Sequence, residues 1–102
     1  MNESVREKLE QVAELCRRHS VLRLSLFGSA VRQDFDTERS DLDFLVDFEP
    51  LPPARHADAY FGLLEALGQL LGRPVDLVVG SAIKNPYFRQ SVEQTRALLY
   101  AA

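Results

Sequence analysis

An alternation of acidic and apolar residues near the middle of the chain limits what this sequence can fold into more than any other feature. From residue 41 to residue 48 the sequence reads Asp-Leu-Asp-Phe-Leu-Val-Asp-Phe. The apolar residues at every second position have the period of a β-strand with one buried face. Asp41 and Asp43 then leave the strand on the same side, about 7 Å apart along it. Two carboxylates on one side of a sheet repel each other, and a bridging cation relieves that repulsion.

A second strand is predicted just upstream, and it ends in a pair of small residues. From residue 22 to residue 27 leucine alternates with other residues, and the run leads directly into Gly28 and Ser29. Glycine permits close approach of a ligand to the backbone, and free amides after a strand can bind a phosphate. We therefore interpret Gly28 and Ser29 as a candidate phosphate site, next to a candidate metal site formed by Asp41 and Asp43.

Two polar residues between these motifs are further candidates for phosphate contact. Arg32 lies in a short helical turn expected at 30–33 and could reach a phosphate oxygen as a fixed cation. Ser40 precedes the carboxylates and could bind a phosphate or hold Asp41 by a hydrogen bond. A surface arginine and a turn serine are the plainer interpretations of these two positions.

Each motif alone has an ordinary explanation. Gly-Ser after a strand is usually a turn, and Asp-x-Asp is usually a solvated strand face. An EF-hand calcium loop fits badly, because it requires a further Asp or Asn and then a glycine where this chain has Leu45 and Val46. The combination of both motifs on consecutive predicted strands, with a third aspartate later, favours a reactive site over these structural explanations.

That third aspartate, Asp76, interrupts the short apolar strand predicted at Val75–Val79. A carboxylate within an otherwise buried strand costs several kcal/mol, on the order of the penalty for burying a charge, unless it is paired or bound. Asp76 is therefore the third candidate metal ligand. A salt bridge to Arg73 at a strand edge is the alternative.

The remaining pattern predicts helices around a small sheet. An amphipathic helix is expected over 4–19, and a second helix from Pro53 to a cap at Gly72. A last helix is expected to begin at Asn85 and Pro86 and to end near residue 100. Its inward stripe is predicted to consist of Phe88, Val92, Thr95 and Leu99. The fold class is thus α/β, with a small mixed sheet of about three strands flanked by helices.

Length and charge limit the classes of function. With 102 residues, 1–102 is expected to form a single domain. The net charge of -3 supplies no broad cationic surface, so no direct nucleic-acid binding is expected. A single cysteine, Cys16, in register with the apolar face of the first helix, is expected to be a buried structural thiol. No apolar run approaches the length of a membrane span, and a cytoplasmic location is expected.

These residues together resemble the minimal nucleotidyltransferase family of the DNA polymerase beta superfamily, and in particular its antitoxin members that are paired with HEPN toxins. The resemblance covers nearly the entire chain and implies the nucleotidyltransferase (polymerase beta-like) fold. It rests on Leu-Phe-Gly-Ser at 26–29, Arg32, Ser40-Asp41-Leu42-Asp43, Arg73-Pro74-Val75-Asp76-Leu77-Val78 and Asn85-Pro86-Tyr87-Phe88.

By this resemblance, Asp41, Asp43 and Asp76 bind magnesium, two ions being expected, and Gly28 and Ser29 bind the triphosphate of ATP. The resemblance implies transfer of AMP from ATP to a hydroxyl, expected to be a tyrosine hydroxyl, of a HEPN ribonuclease toxin, which is thereby neutralised. Larger relatives carry extra domains that hold the acceptor, so the acceptor is expected to come with a partner protein in a hetero-oligomer. Two alternatives stay open, an antitoxin that neutralises the toxin by binding alone and an adenylyltransferase that acts on a small molecule.

Overall fold

The structure, a computed structural model, describes residues 2–28, 31 and 41–102 of this protein. Its elements follow in the order α1 Glu3–Glu7, α2 Leu9–Arg18, β1 Val21–Phe27, β2 Leu42–Phe48, α3 Pro53–Leu71, β3 Val75–Val79, α4 Pro86–Thr95 and β4 Ala97–Ala101. A short 3-10 turn at Gly80–Ala82 lies between β3 and α4.

The sheet is mixed, as the sequence predicts. Its strands within the described residues lie in the order β3-β2-β1-β4. β1 is antiparallel to both of its neighbours, whereas β2 and β3 are parallel. A parallel pair needs a crossover connection, and α3 supplies it over 19 residues. The α/β fold class is therefore confirmed, with one strand more than the three expected.

One face of the sheet packs against α1, α2 and α3 and forms the main core. The alternating apolar positions of β2 point into this core, so the acidic positions point to the opposite face. Burial raises the pKa of the Cys16 thiol to about 12, which leaves it protonated and unreactive and confirms its structural role. The buried members of the main core are Val5, Val12, Cys16, Val21, Leu24, Leu26, Leu42, Phe44, Val46, Leu63, Leu67, Leu71 and Leu77.

Helix α3 has the ends that the sequence predicts. Pro53 occupies its first turn, and Gly72 closes it in the left-handed conformation at φ 68°. The Tyr60 hydroxyl donates a hydrogen bond of 2.7 Å to the Leu77 carbonyl, which fixes α3 against β3. None of the helices in the described part of the chain is long and apolar enough to cross a membrane.

The first predicted helix, over 4–19, is divided at Lys8. The Lys8 backbone has φ -113° and ψ 22°, and its N–H bonds the carbonyl of Val5, three residues back. The Lys8 ammonium donates to the Leu70 carbonyl at 2.9 Å, near the end of α3. This long-range contact coincides with the break between α1 and α2.

The prediction of a last helix that reaches residue 100 is wrong. α4 ends at Thr95, because Arg96 is extended at φ -69° and ψ 143°. Residues 97–101 then pair with β1 as β4, where Leu99 and Tyr100 pack on the main core. Without β4, the backbone N–H and C=O groups on that side of β1 would lack hydrogen-bond partners. This long-range pairing therefore overrides the helical spacing of the apolar residues in the segment.

Candidate active site

Asp43 and Asp76 lie side by side on neighbouring parallel strands. The register of β2 and β3 pairs them directly, so both side chains leave the same face of the sheet. Asp41 precedes Asp43 by two residues, just before β2 begins, and is close enough that its charge helps to raise the pKa of the Asp43 carboxyl. The three predicted ligands thus come from two separate parts of the sequence and gather at one end of β2.

Gly28 brings the end of β1 against the Asp43 carboxylate. Its φ is +73°, a conformation that side chains other than glycine rarely adopt. A Cβ atom added at Gly28 would lie 2.9 Å from Oδ2 of Asp43, closer than real Cβ contacts. Glycine is therefore favoured at this position for two reasons, the backbone angle and the neighbouring carboxylate.

The carboxylate of Asp43 is in an unfavourable electrostatic environment. Its pKa is raised from the ordinary value of 3.8, first because partial burial disfavours the charged form, and then because of the charges of Asp76 and Asp41. A divalent cation between these groups would relieve both effects. The donor set is all oxygen, which suits magnesium rather than a softer metal such as zinc.

The side chains do not already form a closed metal site. Over residues 2–28, 31 and 41–102, no group of three acidic, histidine or cysteine side chains has an arrangement that could hold a metal ion. The strand register nevertheless fixes Asp43 beside Asp76. The backbone thus sets the placement of these two residues, and the positions of their carboxylate oxygens depend in addition on the side-chain rotamers.

The sequence analysis selected Asp76 for a reason that the structure contradicts. The argument assumed a buried strand, but β3 is an edge strand and Asp76 is exposed on it. No burial penalty therefore demands a partner for this carboxylate. Its position opposite Asp43, which the sequence alone does not give, supports its assignment instead.

Of the predicted phosphate contacts, only Gly28 falls among the described residues. Ser29, Arg32 and Ser40 lie outside them. These three assignments therefore stay predictions.

Helix α4 covers part of the site face of the sheet. Phe27, Leu45, Ile83 and Val92 form a second, smaller core there, with Val78 packed against it. The Asn85 side chain caps α4, as predicted, by accepting hydrogen bonds from the backbone N–H groups two and three residues later. The Arg89 guanidinium donates to the carbonyls of Gly80 and Ile83, so it holds the preceding turn.

An aromatic contact that the sequence analysis missed joins α4 to the carboxylates. Phe27 pairs with Asp43 across β1 and β2, and the Phe88 ring lies 6.1 Å from the Phe27 ring, edge to face. Phe88 was predicted to be buried in the inward stripe of the last helix, yet 42% of it is exposed. The strand alternation that places Phe27 on the face of Asp43 was the available signal.

A cavity of about 190 Å³ under α4 is a weaker candidate for the reaction centre. Its charged groups are engaged with one another or with the backbone. Arg23 lies 3.4 Å from Asp47, and Arg96 lies 3.3 Å from Glu93. Arg89, also on its wall, is bound to two carbonyls.

The sequence profile of the nucleotidyltransferase domain family matches residues 9–99. A Methanocaldococcus jannaschii protein, named provisionally as a protein adenylyltransferase, is 36% identical over 94 residues, covering 84% of this chain and 92% of the relative. The protein adenylyltransferase MntA of Thermococcus cleftensis is 43% identical over 72 residues, covering 71% of this chain and 69% of the relative.

Solved structures show the same fold. A structure described provisionally as a minimal nucleotidyltransferase has a TM-score of 0.77 at 37% identity, over 95% of both chains. A chain from the complex of a tri-AMPylated Shewanella oneidensis HEPN toxin with its MNT antitoxin has a TM-score of 0.65 at 21% identity. That match covers 95% of this chain and 72% of the other, and at this identity it bears on the fold alone.

Proposed function

Because this chain belongs to the nucleotidyltransferase domain family and is a minimal nucleotidyltransferase, we propose that it transfers AMP from ATP to a hydroxyl of a HEPN-type toxin. The expected acceptor is a tyrosine, and its modification neutralises the toxin. The chain is then the antitoxin of a toxin–antitoxin pair and forms a hetero-oligomer with its acceptor. We propose a cytoplasmic location, where ATP is available as the donor.

The observation that carries this proposal is the pairing of Asp43 with Asp76 beside Gly28. Three carboxylates directed to one face, next to a backbone turn without a side chain, can hold cations and a polyphosphate together. The relatives named as protein adenylyltransferases support the reaction type. The complex of an AMPylated HEPN toxin with its antitoxin supports the class of acceptor.

The chemistry is an in-line displacement at the α-phosphorus of ATP. The acceptor oxygen forms a bond to this phosphorus, the bond to the β-phosphate oxygen breaks, and pyrophosphate leaves. When bound, two magnesium ions would lower the pKa of the acceptor hydroxyl and neutralise charge on the departing pyrophosphate.

The aspartates divide this work according to their positions. Asp41 and Asp43, beside Gly28, would hold the ion that accompanies the nucleotide. Asp76, on the exposed edge strand, lies where an acceptor can approach, and it would hold the second ion. In this proposal Asp76 also receives the hydroxyl proton, which then passes to solvent.

Intact mass spectrometry tests the proposal directly. The purified chain is incubated with magnesium, ATP and the protein that co-purifies with it, and the mass of that partner is measured. We expect one or more added AMP units from the wild type and from the control Asp58→Asn, which removes an exposed carboxylate on α3. We expect none from Asp43→Asn.

The same experiment separates catalysis from binding. The aspartate side chains are not yet arranged as a metal site in the described residues, an observation that favours an antitoxin acting by binding alone as the second candidate. If the partner is silenced without a change in mass, and Asp43→Asn silences it equally well, the transfer reaction is excluded.

A further inference from the structure

We propose that the Phe88 ring is the surface on which the base of the nucleotide stacks. The inference rests on the proposed nucleotidyl transfer and extends it to the part of the nucleotide that the carboxylates and Gly28 do not contact. It assigns to Phe88 the contact with the base, and through it the preference for the kind of base.

The position of Phe88 relative to the carboxylates supports this assignment. Phe27 stands directly opposite Asp43 in an antiparallel pair, where Cβ atoms lie about 4.5–5.5 Å apart. The Phe88 ring contacts the Phe27 ring edge to face, with its centroid 6.1 Å from that of Phe27. A nucleotide whose phosphates are held at Gly28 and Asp43 can therefore place its base near Phe88, with the ribose spanning the gap.

The Phe88 ring is both accessible and held in place. Its exposed fraction is 42%, whereas Val92, one turn later in α4, is 2% exposed. The edge-to-face contact with Phe27 restricts the ring, and the backbone N–H of Phe88 donates a hydrogen bond of 3.2 Å to the Asn85 side chain. A single exposed aromatic residue is ordinary on a protein surface. A fixed ring beside the reaction centre provides a preorganised stacking surface.

A phenylalanine ring dictates the kind of selectivity to expect. Every base has a π-face, so stacking binds all bases, and larger purines gain more contact than pyrimidines. Phenylalanine has no hydrogen-bonding group with which to distinguish adenine from guanine. We therefore expect purine nucleotides to bind more tightly than pyrimidine nucleotides, with little discrimination between ATP and GTP by this contact.

The test compares a nucleotide with a ligand that has no base. Dissociation constants for ATP and for inorganic triphosphate are measured calorimetrically with magnesium, for the isolated wild-type chain and for Phe88→Leu. Leucine keeps an apolar contact with Phe27 and removes the flat ring. The control is Phe61→Leu, because Phe61 is 64% exposed on α3, which packs on the opposite face of the sheet.

We expect Phe88→Leu to raise the dissociation constant of ATP about tenfold, the effect of losing one stacked ring, and to leave that of inorganic triphosphate unchanged. Phe88→Tyr, which keeps the ring, should bind ATP like the wild type, as should Phe61→Leu. Circular dichroism of each variant checks that the total helix content is unchanged.

Three results would overturn the inference. Equal affinity of Phe88→Leu and the wild type for ATP excludes base stacking at Phe88 and leaves the proposed transfer reaction intact. If the variant instead binds only its partner protein more weakly, Phe88 contacts the acceptor. If the wild type binds neither ATP nor inorganic triphosphate, this inference and the proposed function fail together.

Discussion

Gly28 and Gly72 both have positive φ, at 73° and 68°, but only Gly28 lies against a reactive side chain. Alanine at either position should cost about 1–2 kcal/mol, because side chains are disfavoured in the left-handed region. The added Cβ would press on the Asp43 carboxylate in Gly28→Ala, whereas nothing lies within 4 Å in Gly72→Ala. We expect similar losses of stability in denaturant unfolding, but loss of AMP transfer in Gly28→Ala alone. Equal activities of the two variants would contradict the role of Gly28.

Asp43 is expected to reduce the stability of the fold at neutral pH. Its pKa is raised above the ordinary 3.8, so the folded protein holds this proton more tightly than the unfolded chain does. Protonated Asp43 therefore makes its full contribution to the stability of the fold below pH 3.8. That contribution is lost as the pH rises through the raised pKa. Asp43→Asn removes this dependence, and its unfolding temperature should exceed that of the wild type at neutral pH.

The gain from Asp43→Asn should be small, because the carboxylate is only half-buried and water screens its neighbours. We expect less than about 4 °C, which corresponds to about 1 kcal/mol in a domain of this size. The difference should disappear in acid, where the wild-type carboxyl is also neutral. Thermal unfolding followed by circular dichroism between acid and neutral pH measures both quantities. A variant less stable than the wild type at neutral pH would show that the electrostatic assignment is wrong.

At the scale of single elements, α4 depends strongly on its cap. The Asn85 side chain accepts from the N–H groups of Tyr87 and Phe88 at 2.9 and 3.2 Å. Asn85→Ala should therefore lower the free energy of unfolding by about 1 kcal/mol. Asn85→Asp keeps an acceptor oxygen and a favourable charge at the helix start, so it should resemble the wild type. Chemical denaturation of the three proteins gives the comparison, and equal stabilities would mean that the cap contributes little.

The same elements show how far the sequence determines the fold. The alternation in β2, the Asn85-Pro86 start and the Gly72 stop depend on neighbouring residues, and the structure confirms all three. β4 was missed because its formation depends on β1, which is distant in sequence, and its leucines also fit a helical spacing. The pairing of Asp43 with Asp76 likewise depends on a parallel register that follows from the α3 crossover and from no local signal.

For the whole molecule, the two faces of the sheet are stabilised unequally. The main core contains thirteen buried residues in the described part of the chain, and the site-side core contains four. Local opening is easiest where few apolar groups are buried. We expect amide hydrogen exchange to be faster in α4 than in α3, as measured by mass spectrometry of peptides from each helix. Equal protection of the two helices would contradict this distribution of stability.

Asp76 lies on an outermost strand, and nothing in the described part of the chain buries it. A folded acceptor protein of the kind proposed above can therefore bring its hydroxyl to the rim of the sheet without first entering a narrow cleft. The same openness admits water, which competes with that hydroxyl for ATP. The isolated enzyme should accordingly hydrolyse ATP slowly, and docking of a partner over the edge of the sheet should suppress this hydrolysis.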